Sequence, residues 1–159
     1  MSWTQGQETI EELVRAGHLE KVPPQPQFAS EVLIVCDTHI QSAKKLALDD
    51  PISSLQTAYD AARKALTSIL HAQGLRPTSR GGQIAVAQAI TAQMGAGTSI
   101  GARFDRLRRA RNGNEYPSPE TRPTSTEDAE AAIEVAVAAV AAARRLIPEM
   151  GPYVPPRRA

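Results

Sequence analysis

"PISSLQTAYDAARKALTSILHAQG", Pro51 to Gly74, is the stretch that decides the fold class. Leu55, Tyr59, Ala62, Leu66 and Ile69 recur at intervals of four and three, the period of one helix face. Asp50 is placed to accept from the first free backbone N–H groups, and Pro51 suits a first helical position, where its missing N–H costs nothing. Gly74 suits the left-handed residue that stops a helix. Both ends of this helix are therefore marked in the sequence.

Working upstream, Pro26 to Leu48 reads as another helix, with Phe28, Val32, Val35, Ile40, Ala43 and Ala47 as its apolar stripe. A short helix over Glu8 to Ala16 is stopped by Gly17, and "VPPQP" forces an extended link. Downstream, "LRPTSRGGQ" is a loop; its "RGG" matches no phosphate-loop spacing and reads as a turn. A fourth helix covers Gln83 to Gln93 and is ended by "GAG"; a fifth starts near Ile100. After the loop "PSPETRPT" comes a last helix, "STEDAEAAIEVAVAAVAAARRL", in which Ser125 and Asp128 resemble a capping box. Acids open it, and Arg144 and Arg145 close it, which complements the helix dipole. Ile133, Val137, Val140 and Ile147 are its expected buried stripe. The expected organisation is a short helix and proline-rich link over 1–25, a helical bundle over 26–147 and an extended proline-rich tail over 148–159. The fold class is all-α, an up-and-down bundle with short connections.

Composition agrees. Aromatics make up 4% of the chain and alanine is abundant, which suits closely packed helices better than a β-sandwich. The formal net charge of +1 leaves no global field, so any affinity for nucleic acid must come from a local patch. The lone Cys36 excludes an internal disulfide and fits a reducing, cytoplasmic setting; in its apolar surroundings it reads as a small core residue. No apolar run approaches a membrane span. His18, His39 and His71 lie far apart with no metal-ligand spacing, so neither metal nor cofactor is expected. His71, near the end of its helix, is expected to place positive charge where the dipole favours it.

The local patch is in the fifth helix. Arg103, Arg106, Arg108, Arg109 and Arg111 fall within nine residues, against only Asp105 and Glu115 from Ile100 to Tyr116. Ile100, Phe104 and Leu107 form the core-facing stripe, and the next position on that face is Arg111. A half-buried guanidinium there needs a partner. Glu115, four residues on, is in reach, so Arg111 as a helix-capping ion pair is one reading. An RNA phosphate gripped by bidentate donors is the other. Aromatic stacking platforms are scarce, which argues against an ordinary single-strand reader. Asp60 and Lys64 read as an i,i+4 surface pair, and Tyr59 as core.

"RNGNEYP" at the end of a penultimate helix resembles the signature of HEPN domains. "AYDAARKALTSILHAQGLRP" and "GHLEKVPP" look like the branch of that family typified by a Streptomyces protein. The resemblance implies a helical bundle that dimerises. In active members an arginine, a polar residue directly after it and a histidine some five residues on form a metal-independent endoribonuclease site, with two such motifs meeting at the dimer interface. Carried over, Arg111 matches the arginine, Asn112 the polar residue, and Tyr116 stands where the histidine would be. Tyrosine's ordinary pKa of about 10 makes it a poor base beside histidine, though it can donate a hydrogen bond or act as an acid. A second registration pairs Arg109 with Asn114. The other expectations are RNA or nucleotide contact through Arg103, Arg106, Arg108 and Arg109, a homodimer, and a toxin or defence role with a nucleotidyltransferase-type antitoxin as partner. The alternative is a non-catalytic module that binds a nucleotide, RNA or a protein through the same arginines.

Overall fold

A computed structural model describes residues 3–95 and 99–157. Its elements in chain order are α1 (Gln7–Arg15), β1 (Leu19–Lys21), α2 (Pro26–Leu46), α3 (Pro51–Gln73), β2 (Leu75–Pro77), α4 (Gly82–Met94), α5 (Ile100–Glu115) and α6 (Thr126–Met150). The all-α class holds. The marked ends hold too. Asp50 accepts from the Ser53 N–H at 3.1 Å, and Gly74 takes the left-handed conformation. Ser125 and Asp128 form both halves of a capping box. Of the "GAG" expected to end the fourth helix, Gly95 caps α4, while residues 96 and 97 lie outside the described residues.

α3 is the central helix, packed along α2 and α6 and touching α4 and α5. Alanine makes this possible. Ala58, Ala61, Ala62 and Ala65 of α3 are buried, as are Ala129, Ala132, Ala136, Ala139 and Ala143 of α6. Small side chains shorten the distance between helix axes, so backbones gain dispersion contacts that longer side chains would hold apart. This row corrects the stripe expected for α6. Ile133 and Val140 are buried, but Val137 is 46% exposed, because the centre of the buried face is the alanine row and the larger side chains flank it. In α2 the buried row is Ala29, Leu33, Cys36, Ile40, Ala43 and Ala47. Phe28 and Val35, expected in the stripe, lie one position off that row and are exposed.

The sequence pattern gave no sign of the two-stranded antiparallel sheet. β1 and β2 pair Leu19 with Pro77 and Lys21 with Leu75, burying Leu19 and Leu75. The pairing ties the N-terminal segment to the exit of α3, and Ile10, Leu13 and Leu19 join the common core. The tail past Met150 is extended and anchored: the Tyr153 N–H donates to Gln73 O at 2.8 Å and its hydroxyl to Glu11 at 2.8 Å. His71 also differs from expectation. Burial, and secondarily the charge of Arg76, hold its pKa below the ordinary histidine value, so it is neutral at pH 7. Its ring meets the edge of Phe28 at 5.7 Å.

Two glycines give a test of this packing. Gly74 has φ 84°, and a Cβ there would sit 2.6 Å from Val22 O, so Gly74→Ala should cost about 1 kcal/mol or more. Gly113, inside α5 with nothing within 4 Å of an added Cβ, should gain about 0.5 kcal/mol or more on substitution by alanine. Urea unfolding midpoints of the two variants should move in opposite directions.

Candidate functional site

α5 is fixed to the bundle by its apolar stripe, with Ile100, Phe104 and Leu107 all buried. Phe104 stacks on Tyr59 of α3, rings nearly parallel and centroids 5.6 Å apart. One turn beyond Leu107 the stripe ends in Arg111. Its guanidinium carbon lies 5.5 Å from the centre of the Tyr59 ring, within the range of cation–π attraction. The same side chain is paired with Glu115 and lies 3.5 Å from Asn112 Oδ1, a long contact. The ion-pair reading of Arg111 thus holds: it is half-buried at the core's edge and paired with Glu115. Burial raises the pKa of Tyr59, against the lowering effect of Arg111, so the phenol stays protonated.

Beside this group is a cleft of about 470 Å³, lined by Gln56, Tyr59, Asp60, Arg63, Gln83, Arg111 and Glu115. Asp60 is its most connected member. Its carboxylate accepts from Arg63 Nε at 3.1 Å and Lys64 Nζ at 2.6 Å, and lies 3.4 Å from His39 Nε2. Lys64 Nζ in turn sits 2.8 Å from His39 Nε2. Asp60 and Lys64 do meet as the sequence suggests, but the pair is part of a four-residue network joining α2 to α3. Two arginines and two carboxylates therefore face the cleft. An incoming phosphate would exchange places with Glu115, an exposed partner whose ion pair is worth little.

The sequence-selected residues separate into four groups. Arg111 lines the cleft; Asn112 is exposed outside its lining and touches it only through the long contact with Arg111. Tyr116 does not share the face of Arg111: five residues on, it is about 140° round the helix, one turn beyond Asn112, and it is 76% exposed at the helix cap. Arg108 and Arg109 both pair with Asp105, at 3.0 and 3.1 Å. Arg103 and Arg106 make no ion pair among the described residues and line a different cavity, on the α6 side. Asn114, the other half of the second registration, is on that side as well, accepting from Thr124 Oγ1 at 2.6 Å. Sequence reading passed over Gln56 and Gln83; it named Asp60 and Arg63 as residues that could face the Arg111 region, and both line the cleft. Nothing in a single helix pattern shows which residues of α3 and α4 will face α5.

The network around Asp60 has a pH signature. Burial pushes its pKa up, but the hydrogen bonds and charges of Lys64 and Arg63 outweigh this and hold it below the ordinary aspartate value. Asp60 thus adds stability above the unfolded-state pKa of about 3.9, and that contribution is lost as pH falls through the lower folded-state value. Asp60→Asn should be less stable than the wild-type chain at pH 7, and the difference should shrink steadily between about pH 5 and pH 2. Urea midpoints across that range would show it; a pH-independent difference would contradict it.

A family model described as the HEPN domain matches residues 38–146, from within α2 to near the end of α6. The matched span includes α3, α5 and the cleft between them; "GHLEKVPP" lies before it. Comparison with curated proteins gave no match, and comparison with solved structures gave none. No helix among the described residues is long and apolar enough to cross a membrane. The domain match covers most of the chain and takes in the helices that build the cleft, and the chain belongs to the HEPN domain family.

Proposed function

We propose that this HEPN protein acts on RNA as a metal-independent endoribonuclease, with Arg111 and Asn112 central, Tyr116 assisting, and two copies pairing to complete the site. The observation that carries this reading is the seating of Arg111. A guanidinium fixed on Tyr59 at the mouth of a cleft needs little reorganisation to meet charge growing on a phosphoryl oxygen. In the reaction the ribose 2′-OH gives its proton to solvent, and its oxygen attacks the adjacent phosphorus. The bond to the 5′-oxygen breaks, and that oxygen takes up a proton. The products are a 2′,3′-cyclic phosphate and a 5′-hydroxyl. Arg111 stabilises the phosphorane-like charge, and the Asn112 amide orients the phosphate. Tyr116 supplies the hydrogen bond or proton for the leaving oxygen, since a neutral phenol is better suited to that than to taking a proton.

The exposed position of Tyr116 favours a second reading. With the tyrosine turned away from Arg111, the α5 arginines would bind RNA, a nucleotide or a protein partner without turnover; a nucleotidyltransferase-type antitoxin is one such partner. Binding of phosphate-bearing ligands would then weaken with salt, and no cleavage would accompany it.

The two readings separate in one assay with excess chelator. Arg111→Ala should lower cleavage of single-stranded and structured RNA by about a hundredfold or more while leaving the melting transition in place. Tyr116→His should raise the rate near neutral pH by restoring a group that titrates there. Cleavage unchanged in Arg111→Ala would remove Arg111 from the site. RNA left intact by every form would favour binding without turnover.

A further inference from the structure

The chain beyond α6 carries a feature that the RNA-directed reading leaves unused, and it lies outside the span matched to the HEPN domain. α6 ends at Gly151, whose φ of 63° turns the chain, and Pro152, Tyr153, Val154, Pro155, Pro156 and Arg157 follow. Three of these six residues are prolines, and Val154 and Pro155 each precede one, so the backbone is held in the extended, polyproline range. A polyproline helix repeats every three residues and so has three edges. Pro152 and Pro155 share one edge, Val154 and Arg157 the second, and Tyr153 and Pro156 the third. Tyr153 commits the third edge to the bundle. Its ring packs on the core, its N–H donates to Gln73 O at 2.8 Å and its hydroxyl to Glu11 at 2.8 Å, and Lys21 Nζ stands 5.7 Å from the ring centre. The Val154 carbonyl accepts from Gln7 Nε2 at 2.8 Å, which fixes the segment at a second point.

The other two edges are open. Pro152, Pro155 and Arg157 are exposed, and Val154 is 46% exposed. A concavity of about 760 Å³ opens between the end of the segment and α1. Glu8 and Glu12 line that space, yet Arg157, which also lines it, makes no ion pair among the described residues. The segment therefore presents two proline rings and an uncommitted guanidinium, in the order Pro-x-x-Pro-x-Arg, all off the anchored edge. Binding such a segment costs little chain entropy, because the prolines and the Tyr153 anchor have already removed most of its freedom. We propose that residues 152–157 are a preformed ligand for a partner protein domain whose surface has a groove walled by aromatic side chains and ending in a carboxylate. Pro152 and the Val154–Pro155 pair fill the aromatic slots, and Arg157 meets the carboxylate through paired hydrogen bonds. A groove covers two edges of a three-edged helix, so Tyr153 stays on the bundle while the partner binds. No residue of the Arg111 cleft takes part, and the interaction is independent of RNA binding and cleavage.

The probe is a purified, isotope-labelled SH3 domain of the kind that takes Pro-x-x-Pro-x-Arg ligands, titrated with the full chain and followed by its NMR shifts. The expected result is saturable binding, with shifts confined to the aromatic groove and its acidic edge. Pro155→Ala and Arg157→Glu should each weaken binding by about tenfold or more. Both positions are exposed, so the melting transitions of the variants should match the wild-type chain. Arg111→Ala should bind as the wild type does, which separates this surface from the catalytic reading. A synthetic peptide, GPYVPPR, carries residues 151–157 without the bundle. The full chain should bind more tightly than this peptide by about threefold or more, because Tyr153 holds the segment in the docked shape. Absence of binding, shifts outside the groove, or binding unchanged by Pro155→Ala would overturn the proposal. So would a peptide that binds as tightly as the chain or more so, since the bundle would then contribute nothing to presentation.

Discussion

The stack of Phe104 on Tyr59 is the contact on which the candidate site depends. It joins α5 to the central helix at a point where both partners are buried, and it sets the rotation of α5 about its own axis. Once Phe104 is fixed, helical geometry dictates the rest. Arg111, seven residues on, must return to the same face and meet the Tyr59 ring. Arg103, Arg106 and Asn114 must fall towards α6, and Arg109 and Tyr116 must point outward. A single aromatic contact thus divides one arginine-rich helix into two flanks, each lining a cavity, and an exposed ridge.

The charge arrangement follows from the same geometry. An overall charge near zero excludes long-range steering as the main source of RNA affinity. What the fold supplies instead is local commitment. Three of the five arginines are held by acids on their own helix, and two are left open on the α6 side. Near Arg111 the acids are part of the cleft, so a phosphate there must compete with Glu115 and accept Asp60 as a neighbour.

Much of this was legible in the sequence, and the reasons differ by element. α3 was readable because its buried stripe and both its ends coincide in one stretch, and α6 because Ser125 and Asp128 mark its start. Position 111 was readable as an edge residue because the spacing Ile100, Phe104, Leu107 points straight at it. The second half of the α2 stripe, Ile40, Ala43 and Ala47, is buried as expected, whereas in the first half Ala29, Leu33 and Cys36 hold the buried row and Phe28 and Val35 sit on the flank. The β1–β2 pair was illegible: three-residue strands show no alternation, and they exist only because α1 and α3 bring them together. The meeting of Gln56 and Gln83 with Arg111 was equally hidden, since it depends on which helices become neighbours. Tyr116 was placed by motif position alone, and helix geometry turns it away from the arginine it was meant to serve.

The central claim is that α5 directs this HEPN domain to RNA and that Arg111 supports attack by a ribose 2′-OH. The most direct measurement compares one oligonucleotide sequence as RNA and as DNA, in excess chelator, for binding and for strand cleavage. The expected result is that both strands bind, that only the RNA is cut, and that the cut ends are 2′,3′-cyclic phosphate and 5′-hydroxyl. Equal cleavage of the DNA strand, or RNA ends of another kind, would contradict the proposed chemistry; binding of both strands with no cleavage would contradict catalysis and leave α5 as a binding surface.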